Sequence, residues 1–325
     1  MNKNRLFIFI LLFPVFAIAQ DKQWLTGIRD TSYSSLGDYR KTLKNYPFIK
    51  LVKPEQMSTV EEKYAVVYAN AGQRPLHLDA FLPKDTKTGK TVAVLIIHGG
   101  GWRSGDRSQH IPLAQHLAAK GIAAFTVEYR LSTDALYPAA VWDVKAAIRW
   151  LKANGKKLNV DTGKIVLLGF SAGGQLAALA GLTSAVPKLE GSIGVTGYSS
   201  KVNAVIDIDG TLSFIHPEAW ETQNPAKIAA SAMWLGYPRT ESLDVWADAS
   251  PLGHAQNNKI PFLFLNSSVE RMHAGRDDFR KIMDTNGVYT EVVSFKDSPH
   301  GFCLYEPWFD PMLKNILSFL GKVFK

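Results

Sequence analysis

The chain has 325 residues, 46% of them hydrophobic and 20% charged, a balance that supplies a substantial core and excludes disordered, collagen-like and coiled-coil chains. Its formal charge of +8 is scattered rather than gathered on a basic helix or a basic-aromatic strip, so nucleic acid is not expected as a partner. The single cysteine, Cys303, excludes an intrachain disulfide; beside His300 it reads as a small buried residue rather than a nucleophile.

The first residues differ from the rest. Lys3 and Arg5 precede an apolar run over residues 6–18, followed by Ala17-Ile18-Ala19 and then polar Gln20 and Asp21. That pattern predicts a secretory signal peptide over residues 1–19, cleaved near Ala19, and a secreted or periplasmic protein free of the membrane after cleavage. The run is shorter than the ~20 residues of a spanning helix and Pro14 interrupts it. Residues 20–60 are polar and irregular, an N-terminal extension whose Trp24, Tyr33, Tyr39, Tyr46 and Phe48 are candidate docking anchors.

From residue 61 onward one catalytic domain is expected. Residues 63–69 and 76–82 read as two early strands, the second alternating through Leu76, Leu78, Ala80 and Leu82. Residues 92–97 form a continuous β-rich apolar run, as in a strand covered on both faces. A helix over 111–120 follows, then a strand over 122–127 and a helix over 141–153. A short buried strand over 165–168 leads into an alanine-rich helix over 172–182. Strands over 202–208, 261–265 and 291–295 complete the set. This alternation predicts an α/β fold with a mainly parallel sheet and helices on both faces. Between about 211 and 251 the rhythm breaks, and Trp220, Trp234, Tyr237 and Trp246 fall in this segment. It reads as a short cap-like insertion whose tryptophans are available for sugar or aromatic stacking.

Three motifs carry chemistry. Gly169-Phe170-Ser171-Ala172-Gly173 follows a strand and opens a helix, the context in which G-x-S-x-G forms a sharp turn presenting a nucleophilic serine. His98-Gly99-Gly100-Gly101-Trp102 also follows a buried strand; its glycines let backbone N–H groups converge on a developing oxyanion. Ser298-Pro299-His300-Gly301-Phe302 follows the last strand, so His300 is placed to act as general base toward Ser171. No HExxH motif or Cys/His cluster is present, so neither a metal nor another cofactor is expected.

HGGGW, GFSAGG, the final PHGF and the stretch from Tyr137 to Leu151 resemble the α/β-hydrolases of the hormone-sensitive-lipase-like and acetyl/feruloyl-esterase-like groups, over roughly residues 60–325. The resemblance implies an α/β-hydrolase fold and oxyanion donors at Gly100, Gly101 and Ala172. It gives Asp143 a structural role. Relatives carry the third, acidic member of the triad just after the strand at 261–265, in a sequence like HGxxD. Here that stretch reads NSSVERMHAGRD. Glu270 is the first choice for the acid, Asp277 the second and Asp209, at the end of the preceding strand, the third. RMHAGRD also resembles a stretch in secreted polysaccharide-associated esterases, which places Arg271, His273 and Arg276 near the pocket rim, an ion-paired loop being the alternative; Arg271 and His273, with Trp102 of the glycine motif, are the candidate substrate contacts. The implied activity is that of a secreted serine carboxylesterase acting on ester-substituted carbohydrate. Acetyl is expected before feruloyl, on plant polysaccharides such as xylan or pectin. A general short-chain esterase or lipase, a prolyl-oligopeptidase-type peptidase without its gating domain, and a carbohydrate-binding protein on an inactive scaffold are the competing readings.

Overall fold

The computed structural model describes residues 20–85, 89–184, 186–220 and 228–325; the expected signal segment, residues 1–19, lies outside them. Among the described residues ten strands are formed: β1 (Lys50–Leu51), β2 (Val60–Ala71), β3 (Arg74–Pro83), β4 (Thr91–Ile97), β5 (Ala123–Val127), β6 (Val160–Phe170), β7 (Ala204–Ile208), β8 (Phe262–Asn266), β9 (Thr290–Ser294) and β10 (Tyr305–Glu306). Eight of them make one sheet in the order β2-β3-β5-β4-β6-β7-β8-β9. The β2–β3 and β3–β5 pairs are antiparallel, and every pair from β5–β4 to β8–β9 is parallel. This is the α/β-hydrolase arrangement that the motif order implies.

The strands read as apolar runs because both faces are covered. Along β4 the side chains divide by alternation: Ala93, Leu95 and Ile97 join one core, and Val94 and Ile96 the other. The first core packs helices Ala139–Asn154, Ala172–Leu182 and Arg276–Thr285 against the sheet. The second packs Ile111–Ala119 and Phe309–Val323. The 172–182 helix matches its expected limits, and its small residues let it lie close to the strands. A Cβ on Gly173 would come within 2.1 Å of the Ile97 carbonyl oxygen, so glycine is required there. Asp143 is fully buried on helix Ala139–Asn154 and pairs with Arg130 at 2.7 Å, a tie between helix and loop.

The N-terminal segment lies against the second core. Lys50 and Leu51 pair with Glu306 and Tyr305, Ile49 is buried, and the rings of Tyr39 and Tyr305 are 5.9 Å apart. Thr211, Phe214, Ala219 and residues 228–231 border the cleft described next. The tryptophans expected to stack on substrate are placed otherwise. Trp234 and Trp246 are fully buried in the first core and cannot meet a ligand, while the Trp220 side chain lies outside the described part. Their large apolar rings gain more from the interior than from a wet surface.

Candidate active site

The parallel strands β4, β6 and β7 end side by side, and their C-terminal ends carry the chemistry. β6 runs into Ser171, whose φ of 57° and ψ of −120° make a turn tight enough that its neighbours must be small. A Cβ on Gly169 would lie 2.0 Å from the Gly173 carbonyl oxygen. Ser171 N–H donates to the Ile208 carbonyl at 2.8 Å, which fixes the serine beside the end of β7. Trp102 and Asp209 also hold positive φ, 58° and 52°. Each such non-glycine residue costs about 1–3 kcal/mol and persists only where packing dictates it; Trp102 and Ser171 border the cleft and Asp209 stands behind His300.

Ser171 Oγ lies 2.9 Å from His300 Nε2, and His300 Nδ1 lies 2.9 Å from Asp209 Oδ2. The carboxylate can only accept, so Nδ1–H donates to it and Nε2 is free to accept the serine proton. Asp209, not Glu270 or Asp277, therefore faces the imidazole. Asp209 is carried there by the end of β7, whereas Glu270 stays on an exposed turn. β7 is the immediate neighbour of β6, with Phe170 opposite Ile208, so the next residue on each strand, Ser171 and Asp209, stand side by side. Glu270 sits one strand further out, on the 3₁₀ turn Glu270–His273, exposed to solvent. Asp277 is exposed in the first turn of helix Arg276–Thr285, paired with Arg276 at 2.9 Å.

Asp209 is fully buried. Burial pushes its pKa up, but hydrogen bonds from His273, His300 and the Ser267 N–H, together with the charge of His300, outweigh that and hold it down at about 2. His273 does not line this cleft, but it lines the neighbouring trough described below. Its Nε2 lies 3.3 Å from Asp209 Oδ1, on the side away from His300. Beneath it, buried Asp207 accepts from Gly210 N–H at 2.7 Å and closes the turn that projects Asp209. Burial, with the charge of Asp209 added, raises the Asp207 carboxyl well above the usual range.

The cleft has a volume of about 400 Å³. Gly101 and Ala172 border it with Ser171 and His300, whereas Gly100 does not. The N–H groups of Gly100, Gly101 and Ala172 meet no acceptor among the described residues. The Gly99 N–H is taken by Gln109 Oε1 at 2.7 Å, and the Gly100 carbonyl accepts from Ser104 N–H and Oγ–H at 3.0 and 2.9 Å, which holds the loop in its turn. Buried His98 stacks on Tyr129 with ring centroids 4.3 Å apart. Burial lowers its pKa to about 4, so it is a neutral support for the loop. Trp102 borders the cleft. Its indole N–H donates to Gln175 Oε1 at 2.9 Å and its ring stacks on Trp234 at 5.0 Å. Gln175 and Asp207 escaped the sequence reading; Gln175 stands one helical turn after Ser171, which was a usable signal, and Asp207 had none.

Arg271 borders the cleft as expected and also a neighbouring trough of about 510 Å³ that includes Ser267, Ser268, Glu270 and Lys296. Arg276 donates to Asn266 Oδ1 at 2.7 Å, bracing the β8 end. Cys303 is buried, and burial pushes its thiol well above the usual range, away from thiolate chemistry. Among the described residues no His/Cys/Asp/Glu group could hold a metal ion, and no helix is long and apolar enough to cross a membrane.

Against known proteins, the BD-FAE family profile matches residues 78–272, more than half of the chain. The chain belongs to the BD-FAE family. The curated esterase LipC of Mycobacterium tuberculosis (strain ATCC 25618 / H37Rv) is 30% identical over 241 residues, covering 70% of this chain and 57% of LipC. The chain spans less than two thirds of the length of the mycobacterial esterases it matches. Among solved structures, a truncated carbohydrate esterase from gut microbiota superposes with a TM-score of 0.68 at 25% identity, covering 83% of this chain and all of that one. A propionate-bound esterase, Est2 of Thermogutta terrifontis, gives 0.65 at 26% identity, covering 83% and 96%.

Proposed function

We propose that this BD-FAE member is a serine carboxylesterase in which Ser171, His300 and Asp209 form the catalytic triad. The observation that carries the reading is the unbroken hydrogen-bonded chain from Ser171 Oγ through His300 to buried Asp209, with two backbone N–H groups, those of Gly101 and Ala172, at the same cleft. Ser171 attacks the ester carbonyl as His300 Nε2 takes its proton. The oxyanion accepts from Gly101 and Ala172 N–H, with Gly100 adjoining. His300 then protonates the leaving alcohol, and water attacks the acyl-serine by the same route in reverse. Asp209 holds the imidazole in the productive tautomer and stabilises its cation. It remains a carboxylate throughout, because the donors around it keep its pKa near 2.

The substrate class we propose is an ester-substituted polysaccharide, with acetyl the favoured acyl group. The cleft wall combines Trp102 and Phe214 with small residues Ala219, Ala229 and Ala230, which suits a small acyl group. Beyond Arg271 the trough carries hydroxyls and charges, which suits a sugar chain. The named carbohydrate-esterase neighbour supports the same class. Export through a cleaved leader at residues 1–19 belongs to this proposal, and N-terminal sequencing of the mature protein reads it directly.

The first experiment compares wild type with Ser171→Ala on acetylated xylan, acetylated pectin and p-nitrophenyl acetate. Serine-dependent acetate release from a polysaccharide is the expected result. Serine-dependent turnover of the small ester alone would favour a general short-chain esterase. Equal rates in both proteins would remove the catalytic assignment and leave a binding protein on a hydrolase scaffold.

A further inference from the structure

Of the described residues that border the catalytic cleft, Arg271 is the one charged side chain apart from the triad histidine; the others are glycine, alanine, larger apolar and hydroxyl residues. Its guanidinium makes no hydrogen bond or ion pair with any described residue, although candidate partners stand nearby in the chain. Arg276, five positions on, is taken up by Asp277 and Asn266 at 2.9 and 2.7 Å. Glu270 precedes Arg271 directly and forms no ion pair with it. The cleft therefore presents one uncompensated positive charge.

The turn that presents Arg271 is clamped to the triad. Met272 is buried and borders the cleft itself, and His273 Nε2 lies 3.3 Å from Asp209 Oδ1. Ser268 N–H donates to the Ser298 carbonyl at 3.2 Å, two residues before His300. The backbone of Arg271 is thus held in place beside the reacting ester, so little of its freedom is lost when an anion binds. Arg271 also lines the trough, which puts it where cleft and trough meet, on the side of the leaving alcohol.

We propose that Arg271 selects substrates in which the acetylated sugar itself carries a carboxylate, an O-acetylated uronic acid of an acidic polysaccharide. This deepens the polysaccharide-esterase reading and rests on it. A guanidinium offers parallel N–H donors that match a carboxylate; a neutral sugar calls for no such charge. Trp102, Phe214, Ala219 and Ala229 at the acyl end of the cleft would leave an anion unpaired, so the carboxylate belongs to the alcohol half. In the trough Arg276 and Lys296 stand against Glu218, Glu270 and Asp277, so beyond Arg271 no net positive charge draws an anion. Glu270 lines the trough and not the cleft, and it repels a carboxylate on that side. The carboxylate therefore meets Arg271 from the cleft side, close to the ester. A cleft of about 400 Å³ is at the small end of ligand sites, which suits one sugar ring with its acetyl group, so charge and ester sit on the same ring.

The test measures acetate release from acetylated polygalacturonate, from the same polymer with its carboxyl groups methyl-esterified, and from acetylated xylan, with Ser171→Ala as the blank. Wild type, Arg271→Gln, Arg271→Lys and Lys156→Gln are compared, each checked for folding by thermal melting. Lys156 is exposed just before β6, at the end of that strand opposite Ser171, so its substitution removes the same charge far from the cleft. The expected result is a kcat/KM about tenfold higher on the acidic polymer than on its methyl ester, carried mainly by KM. Arg271→Gln should abolish this preference, Arg271→Lys should keep part of it and Lys156→Gln all of it. A preference that survives Arg271→Gln, or that falls equally in Lys156→Gln as general attraction to a chain of charge +8 would have it, would overturn the proposal. So would faster turnover of p-nitrophenyl hemisuccinate than of p-nitrophenyl acetate, which would move the carboxylate to the acyl half. Equal release from the acidic and methyl-esterified polymers would remove the role of Arg271 alone, whereas no serine-dependent release from any polymer would remove the polysaccharide reading beneath it.

Discussion

At Asp209 two opposing effects meet, and their balance decides the chemistry. Burial favours the neutral acid, yet His273, His300 and the Ser267 N–H all donate toward it and keep the carboxylate ionised. Asp209→Asn should therefore lower kcat on p-nitrophenyl acetate by about 10⁴-fold, because the imidazole tautomer is no longer held. Glu270→Gln should stay within about twofold of wild type, since Glu270 is exposed and makes no described contact with His300; a large loss there would return the acid role to Glu270. Stability should follow pH through other single residues. Burial lowers His98 to about 4 and His110 to about 3, from 6.5. Below pH 6.5 the unfolded chain binds protons that the folded chain refuses, so stability falls as pH drops toward 4. Asp209, lowered from 3.8 to about 2, extends the loss across that lower window, where the unfolded carboxylate protonates first; it amounts to about 2 kcal/mol. Urea melts at pH 6, 5 and 4 should show a slope about 1.4 kcal/mol per pH unit shallower in His110→Phe than in wild type.

At the scale of elements, the elbow between β6 and helix Ala172–Leu182 is a close-packing problem before it is a catalytic one. Gly169 and Gly173 approach each other's backbone, Gly173 also meets the end of β4, and a Cβ on Gly174 would lie 2.3 Å from Asp207 Oδ1. Gly173→Ala has only the Ile97 and His98 carbonyls to push against, neither of which can swing aside as a side-chain tip would. It should destabilise the fold by about 1–3 kcal/mol or more and lower activity as the helix lifts from the sheet. Differential scanning calorimetry beside esterase assays separates the two effects. A variant with unchanged Tm would show that the contact is softer than the geometry implies. These elements were the most legible part of the sequence. Glycines are forced by backbone approach and apolar runs by double-sided burial, so both leave their mark locally.

For the whole molecule, the N-terminal segment completes the second core rather than hanging from it. It contributes the β1–β10 pairing, buried Ile49 and the hydrogen bond from the Tyr305 hydroxyl to the Asp38 carboxylate. A chain beginning at residue 56 should lose several degrees in Tm, because apolar surface around Tyr305 and Phe309 becomes exposed. Thermal melts of the truncated and mature proteins check this. An unchanged Tm would mean that the segment docks without stabilising the domain.

The sequence by itself determined the strands and helices of the sheet, and it marked Ser171 as the candidate nucleophile, His300 as the candidate base and the glycine loop, because each is written in a contiguous stretch whose spacing follows from backbone geometry. Which carboxylate faces His300 was decided only by tertiary structure. Asp209 and Glu270 each follow a strand in the linear order, and nothing local says that Asp209 is buried against His300 while Glu270 is left on an exposed turn. The same holds for His273, which the chain places in a rim-like loop and the fold turns against Asp209, and for Trp234 and Trp246, surface candidates by position and interior residues by packing. Partners separated by 58 to 129 residues, from Ser267–Asp209 to His300–Ser171, are joined by sheet order. That order is a property of the folded sheet as a whole, which no single segment encodes.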